Sequence, residues 1–162
     1  MDTSGSNRGL CQPAVSASVS AAMTEKPINM TGQTPATAKR RVLVVEDEML
    51  ILLMTEGMLA DLGCESLTSA ATVENALALI NAQVFDVAIL DMNLSGNKTY
   101  PVADALAARR VPFLFATGYS GRDVTDDYRD RPVLKKPFRE QELVGILTRL
   151  LSPEADTLNA RR

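Results

Sequence analysis

Four short apolar runs each end on a charged or polar residue, and this pattern constrains the chain more than any other feature. Val42-Leu43-Val44-Val45 runs into Glu46-Asp47, and Val87-Ala88-Ile89-Leu90 runs into Asp91. Phe113-Leu114-Phe115-Ala116 runs into Thr117, and Val133-Leu134 into Lys135-Lys136-Pro137. Continuous apolar runs of this length read as strands buried on both faces, the signature of a parallel sheet. In an open α/β sheet, ligands bind outside the carboxyl ends of the strands. Four strands then deliver three carboxylates, a hydroxyl and an ammonium to one edge, a set of groups suited to a divalent cation and a phosphoryl group.

The segments between the runs have helical character. Leu50, Leu53, Met54, Met58 and Leu62 recur at helical spacing, with Gly63 as a stop. Cys64 to Ser69 reads as a short strand, and Thr72 as the cap of a second helix carrying Val73, Ala76, Leu77 and Ile80. Phe85 to Leu90 reads as the most buried strand, and Asn93 to Tyr100 as a glycine-containing loop. Pro101 suits the first turn of a third helix reaching about Arg109. The last helix spans roughly Glu140 to Leu151, ahead of Pro153. The expected fold class is α/β, a doubly wound five-stranded parallel sheet of the flavodoxin-like type. Between Thr117 and Pro132 the chain is crowded with aspartates and arginines and has little to bury, so a short or frayed fourth helix is expected there. Residues 1–39 are rich in Ser, Thr, Ala, Pro and Gly and are expected to be disordered. Residues 40–152 form the domain and residues 153–162 a polar tail.

Composition removes several functional classes. The formal net charge of −3 gives no electrostatic reason for a nucleic-acid or membrane-surface partner. No stretch approaches a membrane-spanning length, and the leader lacks the apolar segment of a signal peptide. Cys11 and Cys64 form no metal spacing and no disulfide framework, which fits a reducing, cytoplasmic setting. Histidine is absent, so any phosphohistidine must come from another protein.

Brought together bare, Glu46, Asp47 and Asp91 would repel one another. Mg2+ relieves that repulsion, because it takes oxygen ligands and keeps several waters. The main-chain carbonyl of Asn93 could complete its ligands. Asp91 is then a candidate nucleophile, Lys136 can neutralise a phosphoryl oxygen and the Thr117 hydroxyl can donate to another. Taken singly, each residue has a plain reading as a turn, a cap or a solvated charge. It is the set, in chain order and each at a strand end, that argues for chemistry.

The pattern resembles the receiver domain of two-component response regulators from about Arg41 to Leu151. The acidic pair Glu46-Asp47, the phosphoacceptor Asp91, Thr117 and Lys136-Pro137 match that family's motif. Phe115-Ala116-Thr117-Gly118-Tyr119 further resembles the "FAT GUY" subgroup, associated with bacterial stress signalling and HWE or HisKA2-type kinases. The resemblance implies a stand-alone regulator, monomeric or weakly dimeric, phosphorylated by a sensor histidine kinase or phosphotransferase and acting through protein contact or phosphate relay. It implies no enzymatic turnover beyond self-phosphorylation and slow autodephosphorylation. It also implies a cis Lys136-Pro137 peptide, with Asn93 and Tyr119 tuning the lifetime of the phosphate. The usual aromatic three residues before the lysine is Val133 here, and the loop after Asp91 carries Ser95 in place of the usual proline. Tyr119, or ordering of residues 120–131, stands in for the aromatic switch; the alternative is a partly buried Tyr119 ring with a solvated hydroxyl.

Two other readings compete. Haloacid-dehalogenase-like phosphatases use Asp, Mg2+, Thr or Ser, and Lys on a similar sheet, but with a second Asp two residues beyond the nucleophile. Asn93 occupies that position and cannot shuttle a proton. A flavodoxin-like cofactor binder would need a glycine-rich phosphate loop where Glu46-Asp47-Glu48 stands.

Overall fold

The computed structural model describes residues 39–118 and 125–152. The expectations for residues 1–38, for the tail from Pro153 and for Tyr119 fall outside them. Among the described residues, five parallel strands form one sheet in the order β2-β1-β3-β6-β7. These are β1 Arg41–Val45, β2 Ser66–Ala70, β3 Val87–Asp91, β6 Phe113–Thr117 and β7 Val133–Lys135. Helices α1 (Met49–Asp61), α2 (Val73–Ala82), α3 (Tyr100–Ala108) and α4 (Glu140–Leu150) cover its faces. The second and third strands begin about two residues later than their apolar runs suggest.

Side chains alternate across the sheet, so neighbouring residues of one strand serve two cores. Leu43, Val45, Leu90, Phe113 and Phe115 pack with Ile80 of α2 and Leu106 of α3. Val42, Val44, Ile89 and Leu114 pack on the other face with Leu59 of α1 and Leu143 and Leu147 of α4. At the amino-terminal edge Arg41 grips Asp86 with both guanidinium nitrogens, at 3.1 and 3.0 Å.

The turn signals operate as expected. The Asn75 N–H donates to Thr72 Oγ1 at 3.2 Å, capping α2. Gly63 ends α1 in a left-handed conformation (φ 68°), where its N–H donates to the Ala60 carbonyl. Pro101 lies in the first turn of α3.

Three expectations need correction. Leu50, Leu53 and Met54 do not face the core: they are 76, 56 and 54% exposed, with Met49 at 64%. Thr55 and Leu59 take the buried face instead, and the Thr55 hydroxyl donates to the Ile51 carbonyl at 2.8 Å. Helix α1 is apolar around most of its circumference, so periodicity alone could not choose its inward side. Residues 93–98 are not a loop but a small antiparallel hairpin, β4 (Asn93–Leu94) with β5 (Asn97–Lys98), turning at Ser95-Gly96. Where a fourth helix was expected, the described part holds a single 3-10 turn, Asp126–Tyr128. That turn buries one large group. The Tyr128 ring stacks on Tyr100 at 6.0 Å and meets Phe113 and Phe115 edge-on, while its hydroxyl donates to Asp104. Burial and this aspartate push the Tyr128 phenol up to about 12.

Candidate phosphorylation site

Strand β1 lies between β2 and β3, so the chain reverses its direction of winding between β1 and β3, where an α/β sheet opens a crevice at its carboxyl edge. Glu46 follows β1 and Asp91 closes β3, on either side of that opening. The register brings the other two strand ends alongside: Asp91 pairs with Ala116, and Thr117 with Lys135. The Lys136 N–H donates to the Thr117 carbonyl at 2.8 Å. A cleft of about 490 Å3 results, bordered by Asp47, Glu48, Asp91, Asn93, Thr117 and Lys136 among others. The structure thus brings Asp47, Asp91, Asn93, Thr117 and Lys136 to one cleft, with Glu46 buried beside it.

Asp91 is held at both oxygens. The Asn93 N–H donates to Oδ1 at 3.1 Å, and Lys136 Nζ donates to Oδ2 at 2.7 Å. Lys136 also pairs with Glu46 Oε2. The other Glu46 oxygen accepts the Glu48 N–H at 3.2 Å, at the start of α1. Three ionisable groups are therefore buried as a unit: Glu46, Asp91 and Lys136. Burial pushes the Glu46 carboxyl up from its ordinary value, and the Asp91 charge adds to this, while Lys136 pulls it back only in part. Burial works to lower the Lys136 ammonium, but its hydrogen bonds and charge contacts to Asp91 and Glu46 outweigh that, so it is raised and stays protonated. The peptide joining Lys136 to Pro137 is cis, as the resemblance implies.

The sequence reading missed three local participants. The carboxylate oxygens of Glu46, Glu48 and Asp91 all lie within 4.8 Å of one another, so the third acid of the Glu46-Asp47-Glu48 run joins the cluster. Thr99 is fully buried, and its hydroxyl donates to the Asp91 carbonyl at 2.6 Å, fastening the start of α3 to the end of β3. Ser95 Oγ donates to Asp47 Oδ2 at 2.5 Å. The Ser95-Gly96 dipeptide, a common tight-turn pair, was the available signal for the hairpin.

The donor set suits Mg2+. Every candidate ligand is a hard oxygen, and three to four carboxylates against one ammonium leave an excess of negative charge for a dication to offset.

A model of the response regulator receiver domain matches residues 42–148. The chain belongs to the response regulator receiver family. This receiver is 32% identical over 122 residues to the transcriptional regulatory protein PdtaR of Mycobacterium tuberculosis, covering 71% of its own length and 60% of PdtaR. It therefore spans well under two thirds of that relative. SdrG from Sphingomonas melonis Fr1 is 45% identical, with a TM-score of 0.63 over 72% of this receiver and 98% of the SdrG chain. The receiver domain of the sensor histidine kinase PA1611 from Pseudomonas aeruginosa is 27% identical, with a TM-score of 0.60 over 70% of this receiver and 98% of that chain. That structure carries a magnesium ion coordinated in its active-site cleft. Membership of a signalling family displaces the haloacid-dehalogenase-like and flavodoxin-like alternatives. Among the described residues, no helix is long and apolar enough to cross a membrane.

Proposed function

We propose that this receiver accepts a phosphoryl group on Asp91 from a partner histidine kinase or phosphotransferase, and signals through the surface that rearranges as a result. One observation carries the reading: the Asp91 carboxylate is fixed at one oxygen by the Asn93 N–H and at the other by a buried ammonium, at the edge of an open acidic cleft. A P–O bond forms at Asp91 while the P–N bond of the donor's phosphohistidine breaks, and the imidazole leaves with the electron pair of that bond. The chain has no histidine, so the donor is a separate molecule. Lys136 and the Thr117 hydroxyl neutralise and orient the phosphoryl oxygens; such transfer depends on positioning and electrostatics. Glu46, Asp47, Asp91 and the Asn93 carbonyl would hold Mg2+, with Glu48 close by. When bound, the cation supplies charge neutralisation at the transferring group.

The exposed stripe of α1 supports the protein-partner part of the proposal. Met49, Leu50, Leu53 and Met54 face water. Met54 also lines an apolar groove of about 210 Å3 with Gly118, Pro137 and Phe138, on the same side as Lys136. A contiguous apolar patch beside a reactive cleft suits a helical phosphoryl donor. The finer reading is a cytoplasmic stress-signalling regulator served by an HWE or HisKA2-type kinase. It is supported by the Phe115–Gly118 run and by the likeness to SdrG. Phosphotransfer from candidate kinases tests it: label should reach the wild-type chain and fail to reach Asp91→Asn. Undiminished labelling of that variant would overturn the assignment.

A further inference from the structure

Ser95 stands at the tip of the β4–β5 hairpin in a left-handed conformation (φ 49°), followed by Gly96 at φ 93°. Left-handed backbone costs a residue with a Cβ roughly 1–2 kcal/mol, and asparagine or glycine would occupy the first turn position with less strain. What serine offers there is a short hydroxyl. It reaches across the cleft to Asp47, forty-eight residues earlier in the chain, and donates to Oδ2 at 2.5 Å. Among the described residues Asp47 has no other hydrogen bond or ion pair, so its Oδ1 stays available while its carboxylate plane is fixed. The hairpin that carries Ser95 is itself anchored beside the nucleophile. Thr99, directly after β5, donates through its side chain to the Asp91 carbonyl and through its N–H to the Met92 carbonyl. The hairpin thus spans the cleft from Asp91 to Asp47.

We propose that Ser95 is a positioning residue for the divalent cation, acting through Asp47: its hydroxyl occupies one carboxylate oxygen and presents the other to the cleft. The inference rests on the reading of Asp47 as a cation ligand. Hydrogen-bonded partners behind a metal ligand fix its orientation, and their loss typically weakens affinity about tenfold or more.

The test is calorimetric titration of the full chain with Mg2+ alone, with no phosphoryl donor, alongside thermal unfolding without metal. Ser95→Ala should weaken Mg2+ binding about tenfold while leaving the metal-free unfolding midpoint nearly unchanged. Ser95→Asn, which tolerates the left-handed backbone and keeps a donor, should recover most of the affinity; Ser95→Gly, which relieves the backbone but has no donor, should not. Equal or tighter binding by Ser95→Ala overturns the proposal. Asp47→Ala separates the two layers. If it abolishes binding while Ser95→Ala does not weaken it, only the role of Ser95 fails. If Asp47→Ala binds as the wild type does, the ligand reading itself fails.

Discussion

Lys136 Nζ sits 2.7 Å from Asp91 Oδ2 and also pairs with Glu46, with all three side chains less than a tenth exposed. One ammonium therefore serves two carboxylates. Replacing it by alanine leaves both without their partner, so Lys136→Ala should lose about 1–3 kcal/mol of stability in urea denaturation. The same variant should accept little phosphoryl label. Lys136→Arg should restore part of the stability and little of the transfer, because a planar guanidinium cannot replace a compact ammonium between two fixed carboxylates.

The acidic rim should be dispensable for folding and required for chemistry. Asp47 is half-exposed and bonded only to Ser95 among the described residues. Asp47→Ala should unfold within about 0.5 kcal/mol of the wild type, as surface substitutions do. Its metal-dependent phosphorylation should be lost. Wild-type phosphorylation proceeding equally well in excess chelator would contradict a cation requirement.

The α1 stripe separates recognition from reactivity. Leu50→Glu places a charge on the most exposed large apolar side chain, at no cost to the core. Phosphotransfer from a kinase or phosphotransferase should slow by an order of magnitude or more, on the scale of a lost interface anchor of about 2 kcal/mol. Phosphorylation by acetyl phosphate, which needs no docking face, should proceed at the wild-type rate. Equal slowing with both donors would place the defect in the cleft.

Tyr128 gives the fold an alkaline limit. Its phenol is raised from 10 to about 12 in the folded chain, by burial and then by the Asp104 hydrogen bond. A folded value above the unfolded one means that this contribution is complete below pH 10 and is lost as pH rises through about 12. Tyr128→Phe should cost about 1 kcal/mol at neutral pH through the missing hydrogen bond. The gap between variant and wild type should narrow between pH 10 and 12, as read by urea midpoints.

Thr117 and Lys136 bracket the segment that lacks a regular helix, and both are drawn towards a phosphoryl group on Asp91. Hydrogen exchange of residues 125–131 should slow on phosphorylation or with beryllofluoride, as ordering of a marginal segment requires. Unchanged exchange there, with changes elsewhere, would locate the switch outside this segment. Val133, half-buried against the core that holds Phe115 and Tyr128, has no ring to swing in its place.

The sheet was legible because fully buried parallel strands need unbroken apolar runs, and because Asp91, Thr117 and Lys136 end their runs at the one edge where an α/β sheet opens. The inward face of α1 was not legible. Leu50 and Leu59 are chemically alike, and only the curvature of the sheet decides which of them meets it. The hairpin was hidden because each of its strands has two residues, too few for any alternation to register. Tyr128 looked like a loop residue amid aspartates and arginines. Its burial comes from Tyr100, Phe113 and Phe115, which no local window contains.

The Thr99 hydroxyl gives α3 an unusual suspension. The helix hangs from the carbonyl of Asp91 itself, and its first residue, Tyr100, lies flat against Tyr128. The reactive carboxylate and the 3-10 turn are therefore mounted on one bracket. A displacement of the backbone at residue 91 tilts the ring at 100 and with it the ring at 128, so the site and the surface beyond it share a support before any phosphate arrives.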